Sequence, residues 1–329
     1  MAIRNAVAWL AGALICGVAW GQKPVLTLER VIPLPGVEGR IDHLAADADG
    51  RRVFLAALGN GTIEVVDVAQ GQRVGEIKEL KEPQGLFYFP RNHTLYVATG
   101  GDGMVRVYNG HTLAFAGSMT LGNDADNIRF DHQTDTLMVG YGDGAIAFLP
   151  MNLQGGVEAE VKLPAHPESF QVSSDGSHLI VNLPHDQSIA WVDLAPLRVA
   201  SKWTHLDAQS NFPMDVDRKN RRVFVACRAP AQLLELDEAT GTVLQRMNTV
   251  DDADDLFFDE ERNRLYVIGG EGFVDVVDVA KGGKMTPIGR VQTAGGARTG
   301  LLIPAWNKLV VAAPHRGTDP ARLLVYALP

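Results

Sequence analysis

Polar side chains able to do chemistry recur in this 329-residue chain at near-equal steps. Asp42, Gln84, Asp126, Glu168, Phe212, Asp254 and Arg298 lie 42, 42, 42, 44, 42 and 44 residues apart. Only Phe212 in that series is apolar. Their neighbours enrich it further: Arg40, His43, Asp124, Asn127, His166, Asn211, Asp252 and Asp255. If the steps are turns of one repeating structure, these groups converge on one axis. Converging carboxylates either bind a cation or raise one another's pKa. Oxygen ligands suit calcium or magnesium, and Asp126, Glu168 and Asp254 are the candidate metal ligands. Adding His43 or His166 would suit a transition metal. In a reaction, Glu168, His166 or Asp126 is the candidate base. The plainer expectation is that the acids pair with Arg40, Arg298 and backbone amides and tie loops together. No compact metal motif decides among these.

The elements that must position them follow from the same period. Second strands start at Val53, Leu95, Leu137, Leu179, Val223, Leu265 and Leu309, on the same steps. Each is followed by a Gly- or Pro-rich turn, such as Gly100-Gly-Asp-Gly103. A third alternating strand then comes, such as Ile63–Asp67 or Val274–Asp278. A more polar fourth strand ends the unit, such as Val243–Met247. Four strands in about 42 residues is the content of a propeller blade. The expected fold is all-β, a seven-bladed β-propeller forming a single domain over residues 22–329. The seventh unit runs out after its third strand, so the N-terminal strand at residues 25–32 is expected to close it and remove the raw edges. Counting nine residues back from each second strand gives Leu44, Leu86, Ile128, Phe170, Met214, Leu256 and Gly300 as packed positions of the innermost strands. The polar series, two residues earlier, is then the lip of the central channel. The turns between second and third strands add His185, Arg228, His315 and Arg316 to that face.

The blade at 95–113, LYVAT-GGDG-MVRVYN-(x)-TL, resembles YVTN-repeat β-propellers of the YncE-like group, with weaker copies elsewhere. Stretches such as Glu82-Pro-Gln-Gly85, Asp124-Ala-Asp-Asn127 and His166-Pro-Glu-Ser169 resemble a secreted bacterial subgroup. The resemblance implies the propeller fold and assigns no activity. The Gly-His…Trp-Asp signature of WD40 repeats does not appear.

Arg4, the apolar stretch at residues 6–20 and Ala19-Trp20-Gly21 form a secretory signal, with cleavage expected after Gly21. A periplasmic or secreted protein with no membrane span after cleavage is expected. Cleavage would leave Cys227 as the last cysteine, so the fold must rest on its core. A net charge of −9 opposes nucleic acid as a partner. Asp67, Asp193, Asp237 and Asp278 recur at third-strand ends and are assigned to turn formation. His93, His111, His132 and His178 are assigned to solvated hairpin turns.

Three functions are compatible with these residues. One is a monomeric binding propeller holding a small polar or cationic ligand at an acidic channel mouth. Another is a metal-dependent lactonase or lyase using the same site. The third is a scaffold that presents its rim to a protein partner. No motif compels a reaction.

Overall fold

The computed structural model describes residues 24–280 and 283–329. Its strands form seven four-stranded antiparallel sheets. Six are consecutive in sequence, at 44–77, 83–120, 128–162, 170–203, 209–248 and 253–292. The seventh combines Thr299–Ile303, Lys308–Ala313 and Arg322–Ala327 with the N-terminal strand Thr27–Pro33. The innermost strands touch their neighbours all the way round, including the seventh blade against the first, so the ring is closed.

The alternation of each strand explains the packing. Second strands have both faces buried between neighbouring blades. They are therefore almost wholly apolar, as in Val53-Phe-Leu-Ala-Ala57, where every residue is buried. Seven apolar clusters result, one at each blade interface. That between blades 1 and 2, for example, joins Phe54 and Ile63 to Leu86, Tyr88 and Leu95. Fourth strands lie at the rim and are polar.

The inner-strand register agrees with the repeat. Leu44 faces Leu55, Leu86 faces Val97, Ile128 faces Val139 and Phe170 faces Val181. Met214, Leu256 and Gly300 face Val225, Val267 and Val311 in the same way. Gly300 departs from the apolar series for a steric reason. A Cβ there would lie 2.4 Å from the Val310 carbonyl oxygen and 2.6 Å from Ile268 Cδ1.

The closing strand is shifted slightly from the expected 25–32. Pairing runs from Thr27 opposite Ala327 to Pro33 opposite Arg322, with a register shift between Leu28 and Arg30. Pro33 has no N–H to donate, and the Leu34 N–H makes one further bond to the Ala321 carbonyl oxygen at 2.8 Å. Leu26 and Ile32 are buried, and Lys308 Nζ reaches Glu29 at 2.6 Å. The expected signal and its cleavage after Gly21 lie outside the described residues. Among the described residues, no helix is long and apolar enough to cross a membrane.

Cys227 sits inside the strand Arg222–Ala229 rather than at its end. It is fully buried, and burial pushes its thiol up to about 12, so it is an inert core residue. His178 also departs from expectation. It begins a strand, stacks on Trp191 with ring centres 4.5 Å apart, and lies 3.3 Å from Asp193. His93 and His111 stack on each other at 4.1 Å, and the His93 ring bonds the Tyr88 hydroxyl at 3.0 Å.

Candidate functional site: the divided central channel

The loops entering the innermost strands place most of the lip series around a recess of about 280 Å³. Arg40, Gln84, Asp124, Asp126, His166 and Glu168 line one part of it. Phe212, Asp254 and Arg298 line the rest, joined by His185 and Arg228 from the turns between second and third strands. Gly85, next to the lip residue Gln84, lets two loops meet. A Cβ there would fall 2.1 Å from the Asp126 carbonyl oxygen.

The mouth is charge-sorted rather than acidic. Asp254 accepts from Arg228 Nη2 on one oxygen, and its other oxygen lies 2.9 Å from Arg298 Nε in an ion pair. Arg298 Nη1 also reaches Asp252 at 3.0 Å. Arg40 Nη2 donates to Asp42 at 2.6 Å. The Arg228 guanidinium stacks 3.7 Å from the centre of the Phe212 ring, a favourable cation–π arrangement. Guanidinium groups thus neutralise the acids of blades 1 and 6. Blades 3 and 4 instead bring Asp124, Asp126, His166 and Glu168 together, and among the described residues no arginine is paired to them.

That second half has perturbed acid–base behaviour. The His166 ring bonds the Gly142 carbonyl at 2.6 Å, and its Nε2 lies 3.7 Å from Asp126. Burial alone would lower this imidazole, but Asp126, the Gly142 carbonyl and Asp124 outweigh it and raise it to about 9. Glu168 is pushed up to about 8, first by burial and then by repulsion from Asp126, Asp254 and Asp42, with His166 opposing. At neutral pH, Glu168 is therefore mainly a protonated carboxyl beside an imidazolium. Asp126, 6% exposed, lines the same recess, and among the described residues its Oδ1 is buried with no hydrogen-bond partner.

Below the mouth the channel narrows at Asp42, His43, Asn127 and Asp255. His43 lies 3.7 Å from Asp255, 3.9 Å from Asp42 and 4.0 Å from Asp126. Burial would lower the His43 imidazole, but these three carboxylates raise it. Past the constriction is a second chamber of about 400 Å³, along the later residues of the innermost strands. It contains Arg129, Gln171 and Asp215, which the lip series did not include. Each lies one residue after the packed position of its blade, so the same count moved by three residues would have found them.

Two lip candidates are elsewhere. Asn211 is fully buried in the wall, where its Nδ2 donates to Asn182 Oδ1 at 3.1 Å and to the Ser188 carbonyl at 3.0 Å. Asp252 lies on the margin, in a side recess with Arg316 and His315. Among the described residues no group of three or more His, Cys, Asp or Glu is placed to hold a metal ion. Asp254 pairs with arginines on both oxygens, Asp126 faces two imidazoles, and burial raises the Glu168 carboxyl.

No protein-family model matches the chain, and no curated protein matches it. Solved structures resemble it in fold. A chain of the Kuenenia stuttgartiensis hydrazine synthase superposes with a TM-score of 0.72 at 16% identity, covering 85% of this chain and 95% of that one. A chain of a mitotic checkpoint complex superposes with a TM-score of 0.76 at 15% identity, covering 98% of each. At such identities the likeness extends to the propeller fold alone.

Proposed function

We propose that this chain is an exported propeller of the YVTN-repeat type that binds a small polar ligand in the channel mouth. The export reading rests on the signal-like residues 1–21. The binding reading rests chiefly on Asp126 Oδ1. A buried carboxylate oxygen without a donor is costly, of the order of 1–3 kcal/mol. Here Asp126 lines both the recess of about 280 Å³ and the constriction below it, and Oδ1 is the oxygen that lies 4.0 Å from His43 Nε2, beyond hydrogen-bond reach. Glu168 and His166 line the same recess as candidate donors, with His166 Nε2 3.7 Å from Asp126 Oδ2, and the Phe212–Arg228 stack forms another part of its wall. A hydroxyl- or amide-bearing molecule can satisfy all of them together. A fully cationic one meets three arginines and an imidazolium, so the neutral polar ligand is favoured.

The test is calorimetric titration with monosaccharides, polyols and free amino acids, on wild type and on Asp126→Asn. One of these classes should bind, and the substitution should weaken it at least tenfold, about 1.4 kcal/mol. Binding of no class, or equal binding by the variant, would refute the assignment.

A second reading is carried by the proximity of Glu168 and His166, whose altered proton affinities suit general acid–base work near neutral pH. It gives a lactonase- or lyase-type reaction at the same site. Turnover of a lactone panel at pH 7, lost in Glu168→Gln, would favour it over simple binding.

A further inference from the structure

We propose that the lower chamber is a second binding site, independent of the mouth, for a small organic acid with an apolar body. The carrying observation is Arg129. Its Nη1 donates to the Ile128 carbonyl oxygen at 3.0 Å, and its guanidinium lies 5.7 Å from the centre of the Phe170 ring. Among the described residues it makes no ion pair. A guanidinium has five N–H donors in a planar fork that fits a carboxylate two bonds at a time. Most of that fork is unused, inside a chamber of about 400 Å³.

The two nearby carboxylates do not take that role because backbone amides hold them. Asp215 accepts from the N–H groups of Val216 and Phe258, each at 2.8 Å. Asp255 accepts from the Gly300 N–H at 2.8 Å. Burial moves both carboxyls upward, Asp255 to about 7, which reduces the negative charge they set against an incoming anion. The Arg129 charge is itself disfavoured by burial, and an anion at its fork would restore it.

Leu86, Met214, Leu256, Phe257 and Leu301 form the apolar part of the wall, with His43, Ser169 and Gln171 among its polar residues. Asn127, at its upper end, is 2% exposed, and its Oδ1 is buried without a hydrogen-bond partner. A charged fork beside aliphatic and aromatic side chains gives the contacts that a compact amphiphilic acid uses. The constriction at Asp42, His43 and Asp126 separates this site from the mouth.

The test uses 3-phenylpropionate, its neutral amide and 2-phenylethylamine as probes, titrated by calorimetry against the full mature chain. The carboxylate should bind, with the amide at least tenfold weaker and the amine weaker still. Arg129→Gln should lose at least tenfold for the carboxylate. Leu301→Trp, which fills the chamber and leaves the guanidinium in place, should abolish binding. Arg298→Gln, which lines the mouth and not the lower chamber, should leave it within twofold, so failure of the mouth reading is distinguishable from failure of this one. If Arg129→Gln does not melt cooperatively, the probe series and Leu301→Trp decide. No carboxylate binding at millimolar concentration, equal binding of acid and amide, or preference for the amine would overturn the proposal.

Discussion

A chain that begins at Leu34 is expected to lose cooperative folding, whereas one that begins at Pro24 keeps it. The difference is the strand Thr27–Pro33 with its approach. Removing it strips Leu26 and Ile32 from the core and uncovers Leu34, which is otherwise fully buried. Each such aliphatic side chain contributes about 1.5–3 kcal/mol. Their combined loss is comparable with the whole stability of a typical domain, about 5–15 kcal/mol. The deletion also opens the edge of Arg322–Ala327, whose N–H and C=O groups would be free to pair with another copy. Thermal unfolding followed by circular dichroism, with light scattering for aggregation, checks this. A monomer starting at Leu34 that melts within a few degrees of the longer chain would show that the seventh blade does not need its N-terminal strand.

Arg222→Met should be the most destabilising single charge removal in the molecule, at about 3–5 kcal/mol. Arg222 is 6% exposed. It donates to Asp217 from Nε and Nη2, to Glu235 at 3.2 Å, and to the Val279 carbonyl of the next blade at 2.9 Å. Asp217 and Glu235 are themselves buried, so methionine leaves two carboxylates in the core without their cation. Burial alone would raise Asp217, but Asn220 and Arg222 outweigh it and hold its carboxyl below the usual range. The control is Arg91→Ala. Its ion pair with Asp135 is 64% exposed on both sides, and such pairs contribute little. Denaturant unfolding of the two variants should separate them by several kcal/mol. A loss under about 1 kcal/mol for Arg222→Met would contradict the buried-brace assignment.

The blades were legible in the sequence because a second strand buried on both faces must be apolar, and seven such runs at a fixed step leave one arrangement. The inner-strand register was legible for the same reason. Leu44, Leu86 and Ile128 occupy equivalent positions, and equivalent positions face the channel alike. Charge pairing was not legible. Arg228 meets Asp254 across 26 residues and Arg298 meets Asp252 across 46. Only the assembled ring decides that these guanidiniums reach one rim of the mouth and leave Asp126 and Glu168 on the other. Asn211 has the right spacing but turns into the wall toward Asn182. The lower chamber was missed because its ring is not periodic in residue type. Arg129, Gln171 and Asp215 share their level with Ala45, Phe87, Phe257 and Leu301, a mixture that sequence reads as ordinary strand.

The claim that unites the site is that the mouth is a desolvated, charge-sorted ring and not a hydrated acidic rim. Glu168 tests it most directly, by infrared titration of the protonated-carboxyl C=O stretch in wild type minus Glu168→Gln. The account predicts that this band disappears with a midpoint near pH 8. The linked effect on stability has a definite sign. A carboxyl whose folded pKa is raised contributes fully below its ordinary value of 4.5, and that contribution is lost as pH rises through about 8. His166 acts in the same direction, losing its contribution between 6.5 and about 9. Wild type should therefore lose more stability than Glu168→Gln as pH is raised through this window. A Glu168 midpoint in the ordinary carboxylate range, roughly 4–5, would mean that water reaches the ring freely, and the account of the mouth would be wrong.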